Sequence, residues 1–124
     1  MKINYAVLGT NNMEASIKFY DSLFEQTELN QVLSTERMIF WQVDGDEDFA
    51  FAIAIPFDEE PASNGNGSMI GFSVASSDEV KRLHKKVIEL GGTCEGEPNQ
   101  RGPRFSAYAR DLDKNKICFS EQIA

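Results

Sequence analysis

The sequence contains the same order of predicted elements twice, and this repeat limits the fold more than any other feature. A strand-like run at Ile3–Leu8 leads into an amphipathic helix that begins after the capping side chains of Thr10–Asn12. Another such run at Met69–Val74 leads into a helix that begins at the capping box formed by Ser76 and Glu79. The two helix starts lie about 64 residues apart. Each half of the chain therefore opens with the same strand–helix unit.

Each helix is followed by three further strand-like runs, which complete the repeat. These runs are Gln31–Ser34, Met38–Val43 and Phe49–Ile55 in the first half, and Thr93 to about Gly96, Arg104–Arg110 and Lys116–Ser120 in the second. One such βαβββ module cannot bury its sheet alone, so two are expected to pack together. The sequence predicts one α+β domain over residues 1–124, with module one at about 1–56, a linker at about 57–67 and module two at about 68–124.

The acidic excess of the chain lies in its first half. Residues 1–62 carry 3 basic and 12 acidic side chains, whereas residues 63–124 carry 9 basic and 8 acidic ones. No basic stripe with interleaved aromatic residues is present, so a nucleic-acid backbone or an anionic membrane surface would be repelled. We therefore predict a small-molecule partner, and neither nucleic acid nor membrane.

The two cysteines, Cys94 and Cys118, are too few for a disulfide framework and are typical of a reducing compartment. The sequence also has neither a signal-peptide pattern nor an apolar run of ~20 residues. A cytoplasmic location is expected. Cys118 is interpreted as a small buried hydrophobic residue, and Cys94 as unreactive because Glu95 beside it disfavours the thiolate.

Four segments match the pattern of one known family in their order and spacing. They are Val7–Asp21, which contains an S-x-x-F-Y motif, Pro56–Ser68, Leu90–Thr93 and Arg110–Ile117. Together they resemble the vicinal oxygen chelate superfamily, which contains glyoxalase I, bleomycin-resistance proteins and extradiol dioxygenases. The resemblance implies two βαβββ modules whose curled mixed sheets form an open trough, and it implies a homodimer.

In the metal-dependent enzymes of that family, one divalent ion is held in the trough by His and Glu side chains of the first and last strands of each module. The corresponding positions here hold Tyr5, Met69 and Cys118, and the fourth would fall in Phe49–Pro56, which has no carboxylate, imidazole or amide side chain. We therefore expect no metal and no cofactor at these positions. The single histidine, His84, is interpreted as a helix-flank residue.

A trough without metal ligands and with aromatic walls suits a planar or apolar ligand. The predicted ligand-binding residues are Tyr5, Trp41, Phe51, Met69, Arg104, Tyr108 and Cys118, with Phe40 as the alternative to Trp41 on the same strand. The same aromatic side chains would equally serve as core. Arg101 and Arg104 are either an anchor for an anionic group or solvated, while the acidic first half suits a cationic ligand.

The sequence thus favours a metal-free member of the superfamily that binds a small organic molecule, aromatic or antibiotic-like in character. No catalytic residue is predicted. One alternative is a glyoxalase-like lyase or isomerase, or a dioxygenase-like enzyme, with a non-standard site in which Tyr5 acts as acid and base; its ordinary pKa near 10 makes it a poor base at neutral pH. Another is a structural or regulatory dimer whose trough is filled by its own side chains.

Overall fold

The computed structural model describes residues 1–123 and divides the chain into two compact units, Met1–Asn64 and Gly65–Ala124. Each unit contains one open, four-stranded mixed sheet and one helix. The predicted α+β fold class is therefore confirmed. No helix in the described part of the chain is long and apolar enough to cross a membrane.

The first unit contains one helix and four strands. They are β1 (Tyr5–Gly9), α1 (Met13–Leu23), β2 (Leu29–Ser34), β3 (Met38–Val43) and β4 (Ala50–Ala54). The strand order is β1-β4-β3-β2, in which β1 runs parallel to β4 and the other pairs are antiparallel. The helix begins where predicted, because the Asn12 side chain accepts a hydrogen bond from the backbone N–H of Ala15 at 3.0 Å.

An aromatic cluster between α1 and the sheet forms the core of the first unit. Tyr20 of the helix and Phe24, its C-cap residue, contact Trp41 and Phe51 of the sheet with ring centroids 4.9–5.9 Å apart, and Trp41 and Phe51 are 6.0 Å from each other. The Trp41 indole donates a hydrogen bond to an Asp21 carboxylate oxygen at 2.9 Å. This cluster fixes which face of the sheet the helix covers.

The second unit repeats this arrangement. It contains β5 (Ile70–Ser73), α2 (Ser77–Glu89), β6 (Thr93–Arg101), β7 (Arg104–Arg110) and β8 (Lys116–Gln122). The order is β5-β8-β7-β6, with β5 parallel to β8. Ser76 caps α2 by accepting from the Glu79 N–H at 3.1 Å, as predicted. The helix buries Val80, Leu83, His84 and Val87.

Two turns in the second unit have demanding backbone geometry. Gly92 follows α2 so closely that a Cβ atom there would collide with the Arg110 carbonyl oxygen and with the Val87 side chain. In the hairpin before β8, Lys114 has a φ of 69°, in the left-handed region that favours glycine. The buried Asp111 carboxylate supports this hairpin by accepting from the Asn115 backbone N–H at 3.0 Å.

The element bounds agree with the sequence-based ones except for the length of some strands. β6 continues to Arg101, well beyond the expected end near Gly96, because it is interrupted by two register shifts rather than terminated. β8 likewise extends to Gln122. The predicted linker, residues 57–67, contains neither helix nor strand.

Candidate functional site

In each unit the helix covers one face of the sheet, and we call the opposite face the helix-free face. Strand register assigns side chains to it, because neighbours in register point the same way and successive residues alternate. In the first unit this face carries Tyr5 and Val7 of β1, Ala50, Ala52 and Ala54 of β4, and Met38 and Phe40 of β3. None of the four strands of this unit contains a charged residue.

The helix-free face of the first unit is an aromatic pair above a floor of alanines. The rings of Tyr5 and Phe40 lie edge to face with centroids 5.7 Å apart. Ala50 is the register partner of Tyr5, and Ala52, which is fully buried, is the partner of Phe40. Tyr5 keeps half of its surface exposed, at 50%. The face therefore offers an apolar, partly exposed surface with one phenolic hydroxyl.

Trp41 and Phe51 do not lie on this face, contrary to the expectation that they contact a ligand there. Both are 1% exposed and belong to the aromatic core under α1. The reason is strand parity, because Phe40 and Trp41 are adjacent in β3 and must point to opposite sides. The alternative, Phe40, is the β3 aromatic residue on the helix-free face.

The helix-free face of the second unit is cationic and centres on Tyr108. This residue pairs in register with Cys118 on β8. The Arg101 guanidinium lies 5.1 Å from the Tyr108 ring centroid and the Lys116 ammonium lies 5.2 Å from it. Arg104 donates to the Ser120 hydroxyl at 3.2 Å. Of the predicted residues, Arg104, Tyr108 and Cys118 are thus brought together.

A carboxylate close to these cations is that of Glu95, which is ion-paired with Arg110; that hydrogen bond, and to a smaller extent the charge of Lys116, lower the pKa of Glu95. Within residues 1–123, no carboxylate forms an ion pair with Arg101, Arg104 or Lys116. Burial raises the pKa of the Cys118 thiol, while a hydrogen bond with Tyr108 and the three positive charges oppose that rise. The thiol is therefore protonated at neutral pH, and the positive charge is available to a ligand.

Met69 lies one residue before β5 and is 45% exposed. With Tyr5 and Cys118 it occupies the positions at which the family resemblance implies metal ligands. The fourth position falls on β4, where the helix-free side chains are alanines. A phenol, a thioether and a protonated thiol do not fit Mg²⁺, Mn²⁺ or Ni²⁺, which take carboxylate, imidazole or water ligands.

A second cluster of polar side chains lies on the other face of the second unit, between α2 and β6. His84 Nε2 is 3.3 Å from Cys94 Sγ, and the Cys94 thiol donates to Glu97 Oε1 at 3.4 Å. The three ligand-type atoms lie within 4.8 Å of one another. Desolvation, followed by the hydrogen bond to Glu97 and by nearby negative charge, raises the pKa of Cys94.

Sequence reasoning missed this cluster because a regular strand would place Cys94 and Glu97, three residues apart, on opposite faces. Register advances from Cys94 opposite Ala109 to Gly96 opposite Tyr108, so two residues of β6 match one of β7. This β-bulge brings Glu97 back to the face of Cys94. His84 is buried rather than on the helix flank.

Comparison with known proteins gives one consistent result. A sequence model of the Glyoxalase/Bleomycin resistance protein/Dioxygenase superfamily matches residues 2–119. A glyoxalase/bleomycin resistance protein from Albidiferax ferrireducens T118 is 34% identical, with a TM-score of 0.85 over 96% of this chain and 97% of that one. No curated protein matches the chain by sequence.

More distant structures share the fold alone. A glyoxalase-related enzyme from Fulvimarina pelagi is 19% identical, with a TM-score of 0.81 over 98% of this chain and 88% of that one. A lactoylglutathione lyase from Agrobacterium tumefaciens is 18% identical, with a TM-score of 0.69 over 94% and 90% of the two chains.

Proposed function

Because the chain belongs to the glyoxalase/bleomycin resistance protein/dioxygenase superfamily, we propose that it binds small organic ligands on the helix-free faces of its two sheets, an organic anion in the second unit and an aromatic ring in the first. Binding does not use a metal ion at the positions of Tyr5, Met69 and Cys118. The role is sequestration or transport of the ligand rather than metal-dependent turnover.

The observation that carries this proposal is the group of cations without ion-pair partners around Tyr108. A carboxylate, phosphonate or sulfonate placed there would gain charge-assisted hydrogen bonds from Arg104, while Arg101, whose terminal nitrogens donate to the backbone carbonyls of Ser106 and Glu97, contributes positive charge. Planar guanidinium groups recognise such anions in a bidentate manner, which adds orientation to affinity. The acidic excess of the first half does not contradict an anionic ligand, because the strands of that unit carry no charge.

The helix-free face of the first unit favours an aromatic ligand. Tyr5 and Phe40 present a partly exposed apolar surface, and such surfaces on soluble proteins mark interaction sites. Covering it with a planar ring removes apolar area from water, at roughly 25 cal/mol per Å². The hydroxyl of Tyr5 supplies one polar contact.

A thermal-shift panel tests this proposal. Matched pairs of compounds that share one aromatic ring system but carry either a carboxylate or an amine are added to the tag-free chain. We expect stabilisation by the anions and none by the amines. Arg104→Gln should abolish the shift, whereas Lys85→Gln, which removes the same charge from an exposed position on α2, should leave it unchanged.

Phe40→Ser tests the first unit in the same assay. A ligand whose shift is lost in Phe40→Ser uses the first unit, and one whose shift is lost in Arg104→Gln uses the second. An absence of any anion-specific shift contradicts the proposal, and so does turnover of the glutathione hemithioacetal of methylglyoxal on addition of Ni²⁺ or Zn²⁺. The homodimer that the family resemblance implies remains a prediction, measurable by light scattering.

A further inference from the structure

The cluster of His84, Cys94 and Glu97 has the ligand types of a zinc site, and two of its three ligand distances match one, the third lying within 4.8 Å. Its imidazole nitrogen, thiol sulfur and carboxylate oxygen are all common zinc ligands. In a tetrahedral site, with Zn–S at about 2.3 Å and Zn–N or Zn–O at about 2.0–2.2 Å, ligand atoms lie about 3.4–3.6 Å apart. The observed distances, 3.3 Å from His84 to Cys94 and 3.4 Å from Cys94 to Glu97, are close to that value.

The charges of the cluster also favour a cation. Glu97 has no basic partner within ion-pair distance among residues 1–123. The carboxylate and the sulfur instead share the thiol proton, which occupies the space between two groups that would otherwise repel each other. A divalent ion in place of that proton would satisfy both groups at once.

The three ligands are held by rigid elements rather than by a flexible loop. His84 lies on the buried face of α2 and is 6% exposed. Cys94 and Glu97 lie on β6, where the β-bulge directs both towards the helix. Since both β6 residues are exposed, a fourth coordination position would face solvent.

We infer that His84, Cys94 and Glu97 bind one Zn²⁺ ion, with solvent as the fourth ligand. The site links α2 to β6, so zinc stabilises the second unit. It lies on the helix-covered face and shares no residue with the ligand positions discussed above, although Arg101 donates to the backbone carbonyl oxygen of Glu97 at 2.8 Å; metal binding is measured without any organic ligand and so is tested separately from the proposed function. Zinc is favoured over Mg²⁺ or Ca²⁺ because a thiolate and an imidazole are poor ligands for hard ions.

Cobalt substitution tests the site directly. The tag-free, chelator-treated chain is titrated with Co²⁺, which gives a thiolate-to-metal charge-transfer band when sulfur is bound. We expect one equivalent to bind with such a band, and Zn²⁺ to displace it. Cys94→Ser should remove the band, while Cys118→Ala should retain it. A band that is lost in Cys118→Ala instead would overturn the assignment, because the metal would then lie on the helix-free face.

Two neighbouring glutamates provide a matched pair for the oxygen ligand. Glu97→Gln should weaken Zn²⁺ binding by roughly tenfold or more, because an amide oxygen is a poorer ligand than a carboxylate. Glu95→Gln, two residues away in the bulge and paired instead with Arg110, should leave Zn²⁺ affinity within about twofold. Equal losses in the two variants would show a diffuse effect of negative charge and would refute Glu97 as a ligand.

His84 is best tested in the unmutated chain, because replacing a buried residue also removes core packing. It is the only histidine of the sequence, so one set of imidazole NMR signals reports on it. These signals should shift on adding one equivalent of Zn²⁺. The same Zn²⁺ concentration should protect the Cys94 thiol from an alkylating reagent. Unmoved imidazole signals, or binding of Zn²⁺ weaker than about 100 µM, would refute the site.

Discussion

Replacing Trp41 by phenylalanine tests the assignment of β3 side chains to the two faces of the first sheet. The indole is 1% exposed and contacts Tyr20, Phe24 and Phe51 at centroid distances of 5.8, 5.9 and 6.0 Å. Losing its hydrogen bond to the exposed Asp21 costs about 1 kcal/mol, because water can replace the donor. The smaller ring leaves a void worth roughly 1–2 kcal/mol. Trp41→Phe should therefore lower the free energy of unfolding by roughly 2–3 kcal/mol.

The neighbouring variant Phe40→Leu is the matched control. Phe40 is half-buried on the helix-free face, and its packing partner there is the exposed Tyr5. Leucine keeps most of the apolar contact, so the loss should stay below about 1 kcal/mol. Urea unfolding followed by far-ultraviolet circular dichroism measures both variants. A Phe40 variant that is destabilised as much as the Trp41 variant would refute the assignment of the faces.

Three further predictions concern the turns and charges of the second unit. Gly92→Ala should cost roughly 2–4 kcal/mol in urea unfolding because its Cβ meets backbone and core, whereas Gly71→Ala, where a Cβ meets nothing within 4 Å, should cost less than about 1 kcal/mol. Lys114→Gly should raise stability by up to about 1 kcal/mol by relieving the left-handed backbone; a lower melting temperature would contradict this. The hydrogen bond from Arg82 lowers the pKa of Glu79 in the folded state. The pair therefore stabilises the fold at any pH above the unfolded-state pKa of about 4.3, and this stabilisation is lost as the pH falls through the folded-state pKa. Glu79→Gln should thus have a slightly lower melting temperature than the unmodified chain at neutral pH and the same melting temperature near pH 2. The difference in the free energy of unfolding should stay below about 1 kcal/mol because the pair is near the surface. A difference in melting temperature that persists in acid would refute a stabilising role of the ionised pair.

The helices and most strands could be predicted because their signals are local. Asn12 and Ser76 cap their helices through hydrogen bonds to residues three positions ahead, which a sequence pattern records directly. Which of Phe40 and Trp41 faces away from the helix was harder to predict. The packing of α1 on one side of the sheet decides this, and the composition of β3 does not. Phe40 and Trp41 are both large aromatic residues, so side-chain type does not tell the two sides of the strand apart.

The His84 cluster could not be predicted from the sequence, for two reasons. It combines residues of a helix and a strand with a bulge that alternation does not reveal.

The cationic face of the second unit was only partly predictable, since Arg104, Tyr108 and Cys118 follow from strand pairing. The position of Arg101 over the Tyr108 ring depends instead on the unexpected length of β6.

The alternation along β4 divides its residues between two separate tasks. Phe51 and Ile53 face the core, while Ala50, Ala52 and Ala54 form the floor under the exposed aromatic pair. All three alanines are buried, so a change to glycine or serine alters the depth of that floor by one methyl or adds one hydroxyl at a modest cost in stability, and it leaves the contacts of Phe51 and Ile53 with α1 in place. For the ligand proposed to cover this face, single substitutions at these positions are therefore the shortest route to a new preference, and we expect relatives to differ there.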